Sequence, residues 1–260
     1  MALISVACHS TIENGRTWMT RKTLESLRDT VDWQKHRLFL IDNASCADAK
    51  ALFEEAKNWL PFTLITNAEN VGTARAVNMG WAMRKAEEGC VKMDDDMVIH
   101  QRGWLDVLEE CTEAEPAIGI IAIKRPDLGQ TPHAPVGDLM HTELVMLPHV
   151  PYKPWRIVEV TQEAIGSCCL FSSKLLDKVG FLYQPSVYSY DDCLMAVRCE
   201  MAGFISCFYP TIDCTHVDPG GDAYCQWKID HARQQTNKYV QIVSEYRSGK
   251  RSIHHGQFGD

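Results

Sequence analysis

Cys90-Val91-Lys92-Met93-Asp94-Asp95-Asp96-Met97 sets a short apolar run directly against three consecutive carboxylates. The run reads as a buried strand, and the aspartates fall where that strand ends. Adjacent carboxylates repel one another and are costly to hold together without a counter-charge. A divalent cation relieves the repulsion, and hard oxygen ligands suit Mg²⁺ or Mn²⁺. Such an ion can also bridge to a diphosphate and neutralise the charge that builds on it. A solvated acidic turn, or a helix N-terminus with a favourable dipole, explains the same residues without a metal. The motif alone is consistent with either.

Working outward, strand and helix signals alternate. Leu3 to Cys8, Arg37 to Asp42 and Phe62 to Thr66 read as strands. Thr17 to Thr30, Ala47 to Trp59 and Thr73 to Glu88 read as helices between them, and Pro61 stops the second. Trp104 to Glu113 is a further helix, and Ala117 to Ile123 a further strand. Repeated β–α units imply a mostly parallel sheet covered by helices, and in such sheets ligands bind beyond the carboxyl ends of strands. Asp42 and Asp94 both fall there. Arg125 to Pro154 breaks the rhythm with six of the chain's eleven prolines, as a lid, an insertion or an acceptor-binding segment does. Strands at Ile157 to Val160, Ser167 to Phe171 and Phe204 to Tyr209 follow, with helices at Ser173 to Val179, Asp191 to Ala202 and Asp222 to Tyr246. Lys250 to Asp260 reads as a polar, mobile tail, its His254-His255 solvated.

The 260 residues suffice for a full core, and 45% hydrophobic with 23% charged residues is a globular composition. A formal charge of −8 argues against a dedicated nucleic-acid binder. No apolar run is long enough to span a membrane. The opening residues lack the basic flank of a signal peptide. The eleven cysteines form no CxxC pair, so reduced thiols in a cytoplasmic protein are expected, with no disulfide framework and no structural zinc. Cys168 and Cys169 should lie on opposite faces of their strand.

In order along the chain, these features resemble the family 2 glycosyltransferases, enzymes of the GT-A fold. The matching residues are Leu24-Glu25-Ser26-Leu27 on the first helix and Asp42-Asn43-Ala44-Ser45 after the second strand. Asn70, Gly72, Ala76, Asn78 and Gly80 then fit an Asn-x-Gly-x-x-x-Ala-x-Asn-x-Gly pattern, followed by Asp94-Asp95-Asp96. Gly166 to Phe171, Val179-Gly180-Phe181 and Tyr190-Asp191-Asp192 through Arg198 extend the likeness to roughly Gly221. The resemblance implies a GT-A domain over 1–221, with a donor half about 1–124 and an acceptor half about 155–221. A C-terminal helix and tail over 222–260 complete the chain.

The resemblance also implies roles. Ser10 and Glu13 lie in the first loop, where the base is contacted, and Asp42 would meet the nucleoside. Asn70 belongs to the donor-binding set, and Arg75 lies near the diphosphate side of the helix entrance, where a cation makes electrostatic sense. Asp94 would face the ribose or the metal and Asp96 the metal, while strand alternation turns Asp95, a third donor candidate, away. His216 would complete the metal shell or contact the diphosphate. Asp192 would be the catalytic base, with Asp191 beside it where glutamate is usual; helix capping explains the same pair structurally. The implied activity is metal-dependent, inverting transfer from a nucleotide-sugar donor, UDP-linked by expectation, to a saccharide or other soluble hydroxyl acceptor. Hydroxymethylated bases of DNA are a second acceptor class, for which Lys238, Arg247, Lys250 and Arg251 offer a modest basic excess. A sugar-phosphate nucleotidyltransferase and a non-catalytic nucleotide-sugar-binding module are the readings from other classes. Trp104, Trp155 and Tyr188 are candidates for stacking on an acceptor.

Overall fold

A computed structural model describes residues 1–128, 143–162, 164, 167–218 and 220–257. In chain order the first half contains β1 (Ala2–Cys8), α1 (Thr17–Thr30), β2 (Arg37–Asn43), α2 (Ala47–Ala56), β3 (Thr63–Asn67), α3 (Thr73–Trp81) and β4 (Gly89–Asp94). There follow β5 (Met97–Ile99), α4 (Trp104–Ala114), β6 (Ile118–Ile123), β7 (Glu143–Met146), β8 (Ile157–Thr161) and β9 (Cys168–Phe171). The remainder is α5 (Ser173–Val179), α6 (Asp191–Met201), β10 (Ile205–Tyr209), β11 (Cys214–His216) and α7 (Ala223–Arg247).

Nine of these strands form one sheet in the order β3-β2-β1-β4-β9-β6-β10-β8-β7. β1 pairs in parallel with β2 and β4, and β9 inserts antiparallel between β4 and β6. Period-two alternation divides the core into two layers. Ile4, Val6 and Cys8 of β1 pack on one face with Leu24 and Leu27 of α1, Phe53 of α2 and Leu108 of α4. Leu3 faces the other way, towards Val77 and Trp81 of α3, Leu175 of α5 and Met195 of α6. Cys168 and Cys169 divide between the two layers as alternation requires. No helix among the described residues is long and apolar enough to cross a membrane.

Three expectations need correction. α3 ends at Trp81, two turns before Glu88, because Glu88 turns back to accept from the Lys85 amide at 2.8 Å and pairs with Arg37 at 2.5 Å. The tail is docked. His255 is buried and bonded to the Tyr246 hydroxyl at 2.6 Å, and its backbone bridges to Gly180. A Cβ on Gly180 would stand 2.1 Å from the His255 carbonyl oxygen, so that contact requires glycine. Arg198, fully enclosed, donates to the carbonyls of Ile253 at 2.7 Å, Phe181 at 2.9 Å and Val179, tying α6 to the tail. Lastly, Trp104 is wholly inside the core and offers no stacking surface. Of the Pro-rich stretch, residues 129–142 lie outside the described residues, and 143–146 form the edge strand β7.

Candidate active site

The parallel strands end along one edge of the sheet. Cys8 lies opposite Asp42, Ala7 opposite Asp94, and Asn43 opposite Asn67. Beyond β4 the short strand β5 pairs antiparallel with β11, setting His216 opposite Met97, and the Val217 amide donates to the Asp96 carbonyl at 2.9 Å. Backbone pairing thus brings Asp96 together with residues 216 to 218, far away in sequence.

Asp96, His216 and Asp218 present three ligand atoms all within 4.8 Å of one another. His216 Nε2 is 3.4 Å from Asp96 Oδ2, and its Nδ1 is 3.0 Å from Asp127 Oδ2. Asp127 is in turn paired with Arg125 Nε at 3.1 Å, which fixes the ring from behind. Asp96 Oδ1 is buried with no hydrogen-bond partner. An orphaned carboxylate oxygen beside an imidazole and a second carboxylate is a donor set that fits a divalent cation. A second trio, His36, Asp106 and Glu109, lies at the opposite end of the strands, where His36 Nδ1 accepts from the Ala2 amide at the start of β1, away from Asp94 to Asp96.

Arg16, at the end of the first loop, enters the first trio from the opposite side. It pairs with Asp96, with Asp218 Oδ2 at 2.8 Å and with Asp95 Oδ1 at 3.7 Å. Lys228 of α7 reaches Asp218 Oδ2 at 3.4 Å. Burial disfavours the charged guanidinium, but the three carboxylates outweigh it and hold Arg16 protonated. Burial likewise opposes ionisation of Asp96, yet His216 and Arg16 hold its carboxyl below the ordinary range.

A second group lies beside the first. Lys92, buried on β4, places its ammonium 2.8 Å from Asp192 Oδ1, 3.1 Å from Asp191 Oδ2 and 3.9 Å from Asp94 Oδ1. One cation thereby gathers the end of β4 and the first turn of α6. Desolvation lifts the Asp192 carboxyl; Lys92 pulls it back, Asp191 and Asp94 raise it again, and it sits at about 7. The two groups join through Asp94 to Asp96.

The other expected residues are placed as follows. Asp94 is part exposed and leans towards Lys92, outside the three-ligand trio. Asp95 is buried against α1, accepting from Thr20 Oγ1 at 2.9 Å, so its carboxylate is spent on Thr20 and Arg16. Ser10 and Asp42 are enclosed. Ser10 Oγ shares a hydrogen bond with Thr17 at 2.7 Å, and Asp42 Oδ1 accepts from the Ser45 amide at 2.7 Å. Asn70 shapes the loop before α3, accepting from Gly72 N at 2.9 Å and Asn43 Nδ2 at 2.8 Å. Glu13 and Arg75 are exposed at the same edge of the sheet. Trp155 is exposed and rests on His149.

Sequence reading alone missed Arg16, Asp218 and Lys228, and gave Lys92 no role. His216-Val217-Asp218 carries ligand types two residues apart on an extended segment, which was a legible signal for Asp218. Arg16 and Lys228 carry no such signal, since only folding brings them to the aspartates.

A mostly parallel sheet with carboxylates gathered beyond its strand ends is the architecture of GT-A enzymes. The family model for glycosyl transferase family 2 matches residues 19–180, and the chain belongs to that family. No curated protein matches it in sequence. Among solved structures, the mannosyltransferase PcManGT of Pyrobaculum calidifontis, in complex with GDP-Man and Mn²⁺, superposes with a TM-score of 0.67 at 16% identity. That match covers 94% of this chain and 64% of the other. TarS of S. aureus, residues 1–349 with UDP, gives 0.57 at 14% identity, covering 82% and 58%. GalNAc-T7 with UDP, GalNAc and Mn²⁺ gives 0.60 at 13% identity, covering 83% and 43%. The chain therefore spans less than two thirds of the length of each.

Proposed function

We propose that this chain transfers a sugar, with inversion, from a nucleoside-diphosphate sugar to an acceptor hydroxyl, using Asp192 as general base. The observation that carries this reading is the placement of Lys92. A single buried ammonium touches Asp94, beside the candidate cation ligands, and Asp192, at the mouth of α6. Donor phosphates and acceptor hydroxyl can then meet in one cleft.

Asp96, His216 and Asp218, with Asp94 adjacent, would hold Mn²⁺ or Mg²⁺, and the imidazole nitrogen favours Mn²⁺. When bound, the ion supplies charge neutralisation to the departing diphosphate. Asp192 accepts the acceptor's hydroxyl proton as that oxygen bonds to the anomeric carbon. The bond from this carbon to the phosphate oxygen breaks, and the nucleoside diphosphate leaves with the electron pair. Asp191 orients the acceptor, and Lys92 holds both carboxylates in place. Glu13 and Asp42 face the nucleoside, and Arg75 the diphosphate side. A UDP-linked donor, the family expectation, has its parallel in TarS and GalNAc-T7, each solved with UDP, and a GDP-linked one in PcManGT, solved with GDP-Man.

The test is release of nucleoside diphosphate from a panel of sugar nucleotides with Mn²⁺ and candidate acceptors. Asp96→Asn and Asp192→Asn are each expected to lower transfer at least a thousandfold, on the order expected for losing a principal catalytic group. Only Asp96→Asn should weaken Mn²⁺-dependent donor binding. Turnover at the wild-type level in both variants removes the assignment.

A further inference from the structure

The first two turns of α7 carry Tyr224, Trp227, Lys228 and His231, spaced three and four apart on one helical face. Tyr224 stacks on Trp227 at 5.7 Å between ring centroids and an interplanar angle of 11°. Trp227 stacks on His231 at 5.1 Å, and Tyr188 closes against Trp227 at 5.7 Å. His231 Nε2 is bonded to Ser186 Oγ at 2.7 Å, which fixes the ring. The apolar attachment of the helix lies further on, where Ile242 and Tyr246 pack on Leu194 of α6. Trp227 nevertheless remains 42% exposed, a large aromatic surface ordered by its neighbours and turned to solvent.

The platform adjoins the carboxylate cluster. Lys228 lies over the Tyr224 ring at 4.8 Å and pairs with Asp218, and Arg16 lies over the same ring at 5.5 Å. Tyr188 is three residues before Asp191, and burial, with the negative charges of Asp94 and Asp191 adding to it, raises its phenol above the ordinary range against the pull of Lys228. The faces of these rings suit the apolar C–H face of a pyranose. The surrounding charge selects among partners, since the carboxylates of Asp94, Asp95, Asp96, Asp191, Asp192 and Asp218 outnumber the cations paired with them, Arg16, Lys92 and Lys228, and disfavour a polyanionic acceptor. The basic residues near the C-terminus do not offset this. Lys238 is bound to the Pro185 carbonyl at 2.6 Å, and Arg251 to Glu245 at 2.8 Å.

Resting on the glycosyltransferase reading, we infer that Tyr188, Tyr224, Trp227 and His231 form the acceptor subsite, and that the acceptor is a neutral saccharide whose ring stacks there beside Asp192. The test is calorimetric binding to the full chain with Mn²⁺ and UDP. The probes are neutral hexaoses of glucose, mannose, galactose and N-acetylglucosamine, and a single-stranded oligonucleotide containing hydroxymethylcytosine. At least one hexaose should bind, with Trp227→Ala and Tyr224→Ala each weakening it about tenfold or more, and Trp227→Phe recovering most of the loss. UDP affinity in Trp227→Ala and Trp227→Phe should change less than twofold, which shows that they fold. Failure of every hexaose, equal hexaose affinity in Trp227→Ala, or preference for the oligonucleotide overturns the subsite. Absence of Mn²⁺-dependent binding of UDP and of GDP by the wild type would instead sink the glycosyltransferase reading beneath it.

Discussion

Asp192 is a carboxylate that the fold makes reluctant to ionise, and that reluctance has consequences for both activity and stability. Its pKa rises from 3.8 to about 7, so transfer should increase with pH through neutrality and level off above it. A flat kcat/KM profile between about pH 5.5 and 8.5 would remove Asp192 as the base. Because the folded state binds this proton more tightly than the unfolded chain, the group's contribution to stability falls as pH rises from about 4 to about 7. Asp192→Asn should therefore be inactive yet more stable at pH 8, by on the order of 1–3 kcal/mol, with the gain vanishing near pH 4 in denaturant titrations. Arg16 presents the opposite case. Arg16→Met leaves Asp95, Asp96 and Asp218 without their shared counter-charge and should cost about 3–5 kcal/mol in the presence of a chelator. Millimolar Mn²⁺ should raise the variant's Tm more than that of the wild type, since the ion replaces the lost charge. An equal rise in both proteins would show that Arg16 and the cation do not share those carboxylates.

At the scale of elements, α3 shows why a motif can be read before its reasons are visible. Asn78 donates to the Leu182 carbonyl at 2.9 Å and accepts from its amide at 3.0 Å, and it also donates to the Gln257 carbonyl at 3.1 Å. Gly80 lets the helix lie against β1, where an added Cβ would fall 2.1 Å from Ser5 Oγ. Gly80→Ala should cost about 1–3 kcal/mol, and much less in a Ser5→Ala background, as a double-mutant cycle in urea can establish. Additive losses would show that the clash is not with that hydroxyl. Eight of the eleven described strands and most helix limits were legible because period-two and period-3.6 patterns are local, whereas β5, β7 and β11, of three or four residues, are too short to show one. The end of α3 was not, since it depends on Glu88 meeting Arg37 across the sheet edge. Of the site, Asp94 to Asp96 were legible because they stand at the end of an apolar strand, and Asp191 and Asp192 because they open a helix at the place the family resemblance implies. The cations between them lie on three different elements, and no spacing rule connects Arg16, Lys92 and Lys228.

For the whole molecule, the docked tail predicts that Arg198→Met and deletion of residues 250–260 act on the same contact. Each should lower stability by about 2–4 kcal/mol, and combined they should lose less than the sum, because Arg198 donates to the Ile253 carbonyl. Strict additivity by thermal denaturation would separate the two. The insertion of β9 reaches further. Residues 168–171 separate strands 89–94 and 118–123, so a chain emerging from the ribosome holds β4 and β6 well before the strand that joins them exists. Until then both carry open backbone edges, ready to pair wrongly with each other or with a neighbouring nascent chain. A gene cut after residue 124 would encode a fragment whose last strand has no partner, so folding is expected to wait on synthesis past residue 171.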